Sequence, residues 1–213
     1  MRQSLRQILG SPRPILMAIV GADGALAAGR AVRGGADLVQ VRAKQISSGA
    51  LMRLVRDVIT EVGDAGRVIV NSCPDIAERA GAAGVHLPES GLDPRAVRRA
   101  FPGLGVSVSR HDRAGLERAV AEGADFAILG PVFDTPGKGA HVLGTTGLRA
   151  ALRGVGVPVI AVGGISALNA ADVIGCGASG VAGIRPFAAP LNAEMEATLL
   201  RRCLDASFRA APG

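Results

Sequence analysis

Lys44 and Lys138 are the two lysines among 24 basic residues; every other one is arginine. A chain that has placed arginine wherever a solvated cation suffices has kept an ammonium at these two positions. The ammonium is a compact point charge on a flexible stem, whereas the guanidinium is a planar fork. A point charge suits a phosphate oxygen. Both lysines follow strand-like apolar runs, 37–42 and 125–130, so both belong to strand-end loops. Residue type and place together predict phosphate chemistry.

Other residues fit that reading. Val162-Gly163-Gly164-Ile165-Ser166 and Val181-Ala182-Gly183-Ile184 each end an apolar run in glycine, followed by Arg185 in the second case. Glycine lets backbone N–H groups approach an anion closely, and a helix N-terminus favours it. Arg185 adds a bidentate donor. The loop 130–144 combines Gly and Pro with Thr135 and Lys138, and loops this long are usually functional or disordered. Its pattern is not the nucleotide-binding G-x-x-x-x-G-K-[ST]. Three histidines read differently: His86 lies inside a strand-like run and is expected to be a satisfied core residue, His111 sits at a strand end, and His141 lies in the long loop. Asp75 reads as a helix N-terminal charge.

The elements that must position these residues announce themselves by repetition. Gly35-Ala36-Asp37-Leu38, Gly81-Ala82-Ala83-Gly84-Val85, Gly123-Ala124-Asp125-Phe126 and Gly177-Ala178-Ser179-Gly180-Val181 each close a helix-like stretch and open an apolar run. Glycine just past a helix supplies a left-handed cap, and a strand then begins. Four more apolar runs, 15–20, 67–70, 104–108 and 157–162, lie between them. Eight short strands alternating with amphipathic segments predict a parallel sheet in an α/β protein. The count fits a (β/α)₈ barrel over 1–213 as one domain, slightly under the ~250 residues typical of that fold. A doubly wound open sheet is the alternative, but residues 21–24 lack its G-x-G-x-x-G turn. In a barrel, chemistry sits at the C-terminal strand ends. That rule selects Gln40, Arg42 and Lys44, then Asn71 and Ser72, Glu89 to Gly91, Ser109 and His111, the 130–144 loop, Gly163 and Gly164, and Ile184 and Arg185.

Bulk properties narrow the partners. Hydrophobic residues make up 48% of the chain, enough for a core, and aromatics are limited to five Phe. That scarcity argues against base stacking on single-stranded nucleic acid. The net charge is +6 and the pI about 10.5. The arginines are scattered singly and in pairs such as Arg98-Arg99 and Arg201-Arg202. They predict a solvated basic surface, Arg201 included, and not a nucleic-acid footprint. Cys73, Cys176 and Cys203 are odd in number and widely spaced, which predicts reduced, buried thiols and a cytoplasmic protein. Residues 1–14 lack an apolar stretch of signal-peptide type, and no run approaches a membrane span. The expected partners are phosphorylated small molecules, with no nucleic acid and no membrane; nothing in the sequence addresses oligomeric state.

Taken in order, Val39-Gln40-Val41-Arg42-Ala43-Lys44, Val70-Asn71, Gly84-Val85-His86-Leu87, Ser109-Arg110-His111, Gly130-Pro131-Val132-Phe133, Thr135 with Lys138, and Pro158 through Ile165 resemble the thiamine phosphate synthase family, which also contains the thiazole tautomerases. The resemblance covers nearly the whole chain. It implies a (β/α)₈ enzyme that joins hydroxymethylpyrimidine diphosphate to a thiazole phosphate and releases diphosphate. It implies that Gln40, Arg42, Lys44, Asn71, Ser109 and Lys138 hold the pyrimidine diphosphate, with Lys138 and Ser109 nearest the chemistry. Thr135, Gly163, Gly164, Ile184 and Arg185 then surround the thiazole phosphate.

The resemblance also implies Mg²⁺, held in the family's synthases by one aspartate after strand three and another after strand four. Those positions are Ser72 and Gly91 here, with Glu89 or Asp93 as the nearby carboxylates; Arg185 replaces a small hydroxyl residue. Missing acids resemble the tautomerase branch, which moves a proton on a thiazole carboxylate phosphate through a histidine at the position of Pro131. The alternatives to condensation are therefore tautomerisation and non-catalytic binding of a phosphorylated thiazole or thiamine.

Overall fold

The computed structural model describes residues 3–134 and 142–210. Eight parallel strands close on themselves in sequence order, with β8 returning to β1. They are β1 (Ile15–Val20), β2 (Leu38–Val41), β3 (Val68–Asn71), β4 (Gly84–Leu87), β5 (Gly105–Arg110), β6 (Phe126–Leu129), β7 (Val159–Val162) and β8 (Gly180–Gly183). The open-sheet alternative is thereby excluded. One helix, α1 (Gln3–Leu9), precedes the barrel. The others follow the strands: α2 (Ala25–Arg33), α3 (Ser48–Val62), α4 (Pro74–Ala80), α5 (Pro94–Ala100), α6 (Arg113–Ala121), α7 (Gly144–Leu152), α8 (Ala170–Gly175) and α9 (Ala193–Ala210).

The repeated glycines do what their position in the sequence predicts. Gly35, Gly81, Gly123 and Gly177 all have positive φ, between 75° and 104°. Each ends a helix and turns the chain into the next strand. Helix starts are marked as clearly: Ser47 Oγ accepts from Ala50 N at 3.2 Å, and Asp112 Oδ1 accepts from Gly115 N at 2.6 Å. Asp75 lies in the first turn of α4, as expected.

Two cores result from the period-two alternation of the strands. Outward-facing Val39, Val41, Val70, Val85 and Val106 pack under the helices in the larger core. Inward-facing Met17, Leu38, Ile69, Phe126 and Ile160 fill the barrel. The α1 residue Leu5, 0% exposed, joins this inner set with Ile8 and Leu9 beside it, so α1 stoppers the N-terminal end of the cylinder.

An ionic network surrounds that stopper and corrects one expectation. Arg201 is not a surface residue; it is 6% exposed. Its guanidinium donates to Pro14 O at 2.9 Å and to Asp37 Oδ2 at 3.0 Å, and it reaches Asp205 at 2.8 Å. Asp37 also accepts from Leu16 N at 2.8 Å. Burial pushes the Asp37 carboxyl upward, and the Leu16 N–H with Arg201, Arg13 and Arg67 counteracts it. Arg13 holds Asp205 below the usual carboxylate range. Arg110 is buried as well, bonded to Gly115 O, Ser109 O and Glu122. An alkyl stem lets arginine cross apolar layers while its fork meets fixed oxygens, so an arginine-rich chain is not arginine-rich on its surface alone. All three cysteines are free; Cys176 is buried, while Cys73 and Cys203 are only half-buried.

Candidate active site

The inward face of the strands changes character towards their C-terminal ends. Below, it is apolar; above, it presents Gln40, Asn71, His86, Ser107 and Ser109 in the same inward register. Above this polar layer opens a cavity of about 690 Å³, within the range of small-molecule sites. It is bounded by β2 through Gln40 and Arg42, by β4 and β5 through His86, Ser109 and His111, and by the ends of β6, β7 and β8. Gln40 and Ser109 lie within their strands rather than in the loops beyond, because each strand carries the polar layer at its last inward positions.

Gln40 is 1% exposed, and its Nε2 has no hydrogen-bond partner among the described residues. A buried amide left unpaired costs about 1–3 kcal/mol; Gln40 lines the cavity, while its Nε2 is itself shielded from solvent. Arg42, half-buried beside it, makes no ion pair among the described residues. His86 is satisfied and buried, as its position predicts, with Nδ1 3.0 Å from Ser107 Oγ and Nε2 2.8 Å from Ser109 Oγ. It also lines the cavity, which its strand position did not predict. Burial, with Arg42 and Arg110 adding repulsion, lowers its pKa from 6.5 to about 3. The ring is therefore neutral in the fold above that pH.

On the β7–β8 side the backbone itself makes the wall. Gly163 has φ 102° and Gly164 φ 62°. A Cβ on Gly163 would lie 2.7 Å from Pro131 Cα, and one on Gly164 2.7 Å from Asp134 O. Only glycine fits both the dihedrals and the approach of the β6 loop, which donates Val132 N to Val162 O and Phe133 N to Gly163 O. The amides of Gly164 and Ile184 have no acceptor among the described residues. These donors come from turns and not from the expected helix start, since α8 begins only at Ala170. Exposed Arg185 lines the same wall. So does half-buried Glu196 of α9, a residue that sequence reasoning missed because an acid in a first helical turn looks ordinary.

Not every predicted residue joins the cavity. Lys44 is exposed and outside its lining, and Asn71 Nδ2 turns to Ser72 Oγ at 2.7 Å. Thr135, Lys138 and His141 lie outside the described residues. His111 bonds Gly130 O through Nδ1 and faces Glu89 Oε2 at 3.4 Å. Arg118 holds the other Glu89 oxygen at 3.2 Å.

Those contacts bear on Mg²⁺. Ser72 is a hydroxyl at φ 65° that already accepts from Asn71, and Gly91 has no side chain. Glu89 is taken by Arg118 and His111, and Asp93 Oδ1 caps α5 by accepting from Arg95 N at 3.0 Å. No cluster of three or more His, Cys, Asp or Glu able to hold a metal occurs among the described residues. A hard dication asks for several anionic oxygens, and the residues here do not fit one.

A family model described as thiamine monophosphate synthase matches residues 17–187. The putative thiamine-phosphate synthase of Geobacter sulfurreducens is 41% identical over 172 residues, spanning 78% of this chain and 76% of that protein. The thiamine-phosphate synthase of Moorella thermoacetica is 36% identical over 209 residues, spanning 95% and 92%. Among solved structures, a thiamine phosphate pyrophosphorylase from Pyrococcus furiosus superposes with a TM-score of 0.83 at 26% identity, covering 95% of this chain and 98% of that one.

Proposed function

The chain belongs to the thiamine monophosphate synthase family and is a condensing transferase of thiamine biosynthesis; from that premise we propose how its barrel mouth carries the reaction. The substrates are hydroxymethylpyrimidine diphosphate and a thiazole phosphate. The bond between the pyrimidine methylene carbon and the diphosphate oxygen breaks, and the oxygen keeps the electron pair. The thiazole nitrogen donates its lone pair to that carbon and becomes a thiazolium, giving thiamine phosphate and diphosphate.

One observation carries the assignment of sites: a single cavity has unpaired donors at two separate edges. Gln40 lies on β2 and Arg42 just beyond it, while the Gly164 and Ile184 amides and Arg185 lie beyond β7 and β8. Two anionic substrates need two such edges. In this reading Gln40 and Arg42 orient the pyrimidine diphosphate, joined by Lys44, Asn71 and the loop residue Lys138, whose ammonium meets charge growing on the departing oxygens. Gly163 and Gly164 leave room for the thiazole phosphate against bare backbone, and Thr135, Ile184 and Arg185 complete that end. Ser109 lies between the two. The chain's own cations compensate the leaving group, and no step is routed through Mg²⁺. Tautomerisation has no support here, because Pro131 occupies the place of the proton-moving histidine.

The three free thiols favour a reducing compartment, and among the described residues no helix is long and apolar enough to cross a membrane. We place the enzyme in the cytoplasm, with residues 1–213 as one domain. The test is direct. Purified protein given both substrates should form thiamine phosphate and diphosphate in equal amounts, and Lys138→Ala should lower turnover by about a hundredfold, the scale of one lost transition-state contact. Absence of product from folded protein overturns the assignment.

A further inference from the structure

The last helix, α9, carries two stripes where one would suffice. Ala193, Ala197, Leu200 and Leu204 face inward and are buried in the larger core. On the opposite side Met195, Leu199, Arg202, Ala206 and Arg209 are all exposed. Their spacing alternates between four and three residues, which sets them on one line, the kind of seam along which two helices pair. The outer face of a helix packed on a single core is normally polar. Here Met195 is 56% and Leu199 43% exposed, and Leu191, in the turn Pro190–Asn192 just before the helix, is 78% exposed. The other large apolar side chains exposed among the described residues are scattered singly along the sequence. Single ones need no explanation, whereas a group of them marks a contact surface.

Charge along the same helix says what covers that surface. Glu194 and Glu196 lie in the first turn, one on either side of Met195. Glu194 meets Arg33 at 3.3 Å with both side chains half exposed, and the Glu196 carboxylate is in no ion pair among the described residues. Arg202 and Arg209 lie in the second half and are in no ion pair among the described residues either. The exposed face is therefore acidic at one end and basic at the other. A second copy laid parallel would set Arg202 against Arg202 and acid against acid. Laid antiparallel, with the two-fold axis crossing between Leu199 and Arg202, it sets the acidic turn of each copy against the arginines of the other. Met195 then meets the small Ala206, and Leu199 lies on the alkyl stem of Arg202. We propose that the outer face of α9 is the docking surface for a second copy of this chain, packed antiparallel so that one patch serves both sides. The proposal does not depend on the reaction assigned to the barrel mouth.

One helix pair makes an interface at the small end of the specific range, so a dissociation constant in the micromolar range is expected. Sedimentation equilibrium should show the mass rising from 21.5 kDa in dilute solution towards twice that at hundreds of micromolar protein. Leu199→Glu should hold the protein at the monomer mass. Its urea midpoint in dilute solution, where the wild type is monomeric too, should equal the wild type's and so show that it is folded. Two charge variants test the direction of packing. Arg202→Glu with Arg209→Glu makes the face acidic at both ends, and Glu194→Lys with Glu196→Lys makes it basic at both. Each alone should associate at least about tenfold more weakly than wild type, through like-charge contact. Mixed in equal amounts, the two folded variants should pair with each other, since every acidic end then meets a basic one. A wild type that stays monomeric at hundreds of micromolar overturns the proposal. So does a dimer that survives Leu199→Glu, or folded charge variants that fail to pair when mixed.

Discussion

The two ends of this barrel are built from the same materials and finished in opposite ways. At the N-terminal end, arginine and aspartate surround an apolar stopper, and the charges close on one another: Arg201 on Asp37, Asp205 and Pro14 O, Arg13 on Asp205. At the mouth, Arg42, Arg185 and the Gln40 amide end without partners among the described residues. A charge with a fixed partner contributes to holding the fold. One held ready without a partner costs stability and serves a ligand. The difference teaches that burial alone does not identify a site here; unmet bonding capacity does.

The sharpest way to break this comparison is to remove one arginine from each end. Arg201→Ala strips Asp37 of its buried cation, and losing one partner of a buried pair costs about 3–5 kcal/mol. Urea midpoints should fall accordingly, with turnover per folded molecule unchanged. Arg42→Ala should shift stability by less than about 0.5 kcal/mol, as for a residue with no partner, and should lower turnover at least about tenfold. Equal destabilisation by both would end the distinction.

Acid should separate the ends next. The His86 pKa is about 3 in the fold against 6.5 unfolded, so between those values the unfolded chain binds a proton that the native one does not. Stability is full above pH 6.5 and falls by roughly 1.4 kcal/mol per pH unit below it, about 2 kcal/mol by pH 5. Asp205 at the other end is held below 3.8 by Arg13, so its contribution is lost only as pH falls below that value. The mouth should therefore weaken first. Urea melts at pH 6.5, 5.75 and 5 check this, with His86→Asn expected to flatten the slope.

A smaller effect has the opposite sign. Gln40→Leu removes a buried donor that has no partner and fills the space with carbon. It should raise stability by about 1 kcal/mol and abolish most of the turnover. A loss of stability would mean that the Gln40 amide is satisfied within the protein and is not held for a ligand.

Much of this was legible in the residues. The Gly35, Gly81, Gly123 and Gly177 repeat announced the barrel because left-handed backbone at a helix end is a local demand, written in one residue type. Gln40, Arg42, Ser109, Gly163, Gly164, Ile184 and Arg185 were found at strand ends and do line one cavity. What escaped depends on distance in sequence. Arg201 read as solvated because its partners, Asp37 and Pro14, lie 164 and 187 positions away. The α1 stopper has its apolar spacing in Leu5, Ile8 and Leu9, yet nothing local says that the helix covers a barrel. His86 read as core, which it is; that its second nitrogen reaches Ser109 depends on the register of β4 against β5. Lys44 shows the converse, a distinctive residue at a strand end that lies outside the cavity.

The smallest expected effect bears on the mouth's missing acids, and it asks whether that end can be rebuilt in the manner of the other. Ser72 already has φ 65°, a conformation that aspartate tolerates better than most residues. Ser72→Asp should therefore change stability by less than about 0.5 kcal/mol. Gly91 is different: its φ is not positive, but a Cβ there would lie 2.9 Å from Pro88 O and 3.1 Å from Pro88 Cδ. Backbone and a proline ring yield little, so Gly91→Asp should cost about 1 kcal/mol, at the low end of overpacking. The double variant places one carboxylate just after β3 and one in the loop after β4, where the oxygens of Glu89 are already taken by Arg118 and His111. Two hard oxygen ligands should confer Mg²⁺ binding, read as a rise in melting temperature at millimolar Mg²⁺, a linkage effect that wild type should lack. If condensation runs as proposed, the double variant should also gain an Mg²⁺-dependent component of rate. A wild type whose melting temperature rises with Mg²⁺ as much as the double variant's would show that the metal reaches this mouth without those carboxylates. The contrast between a charge-closed end and an open one with unpaired cations would then fail at the site where it matters most.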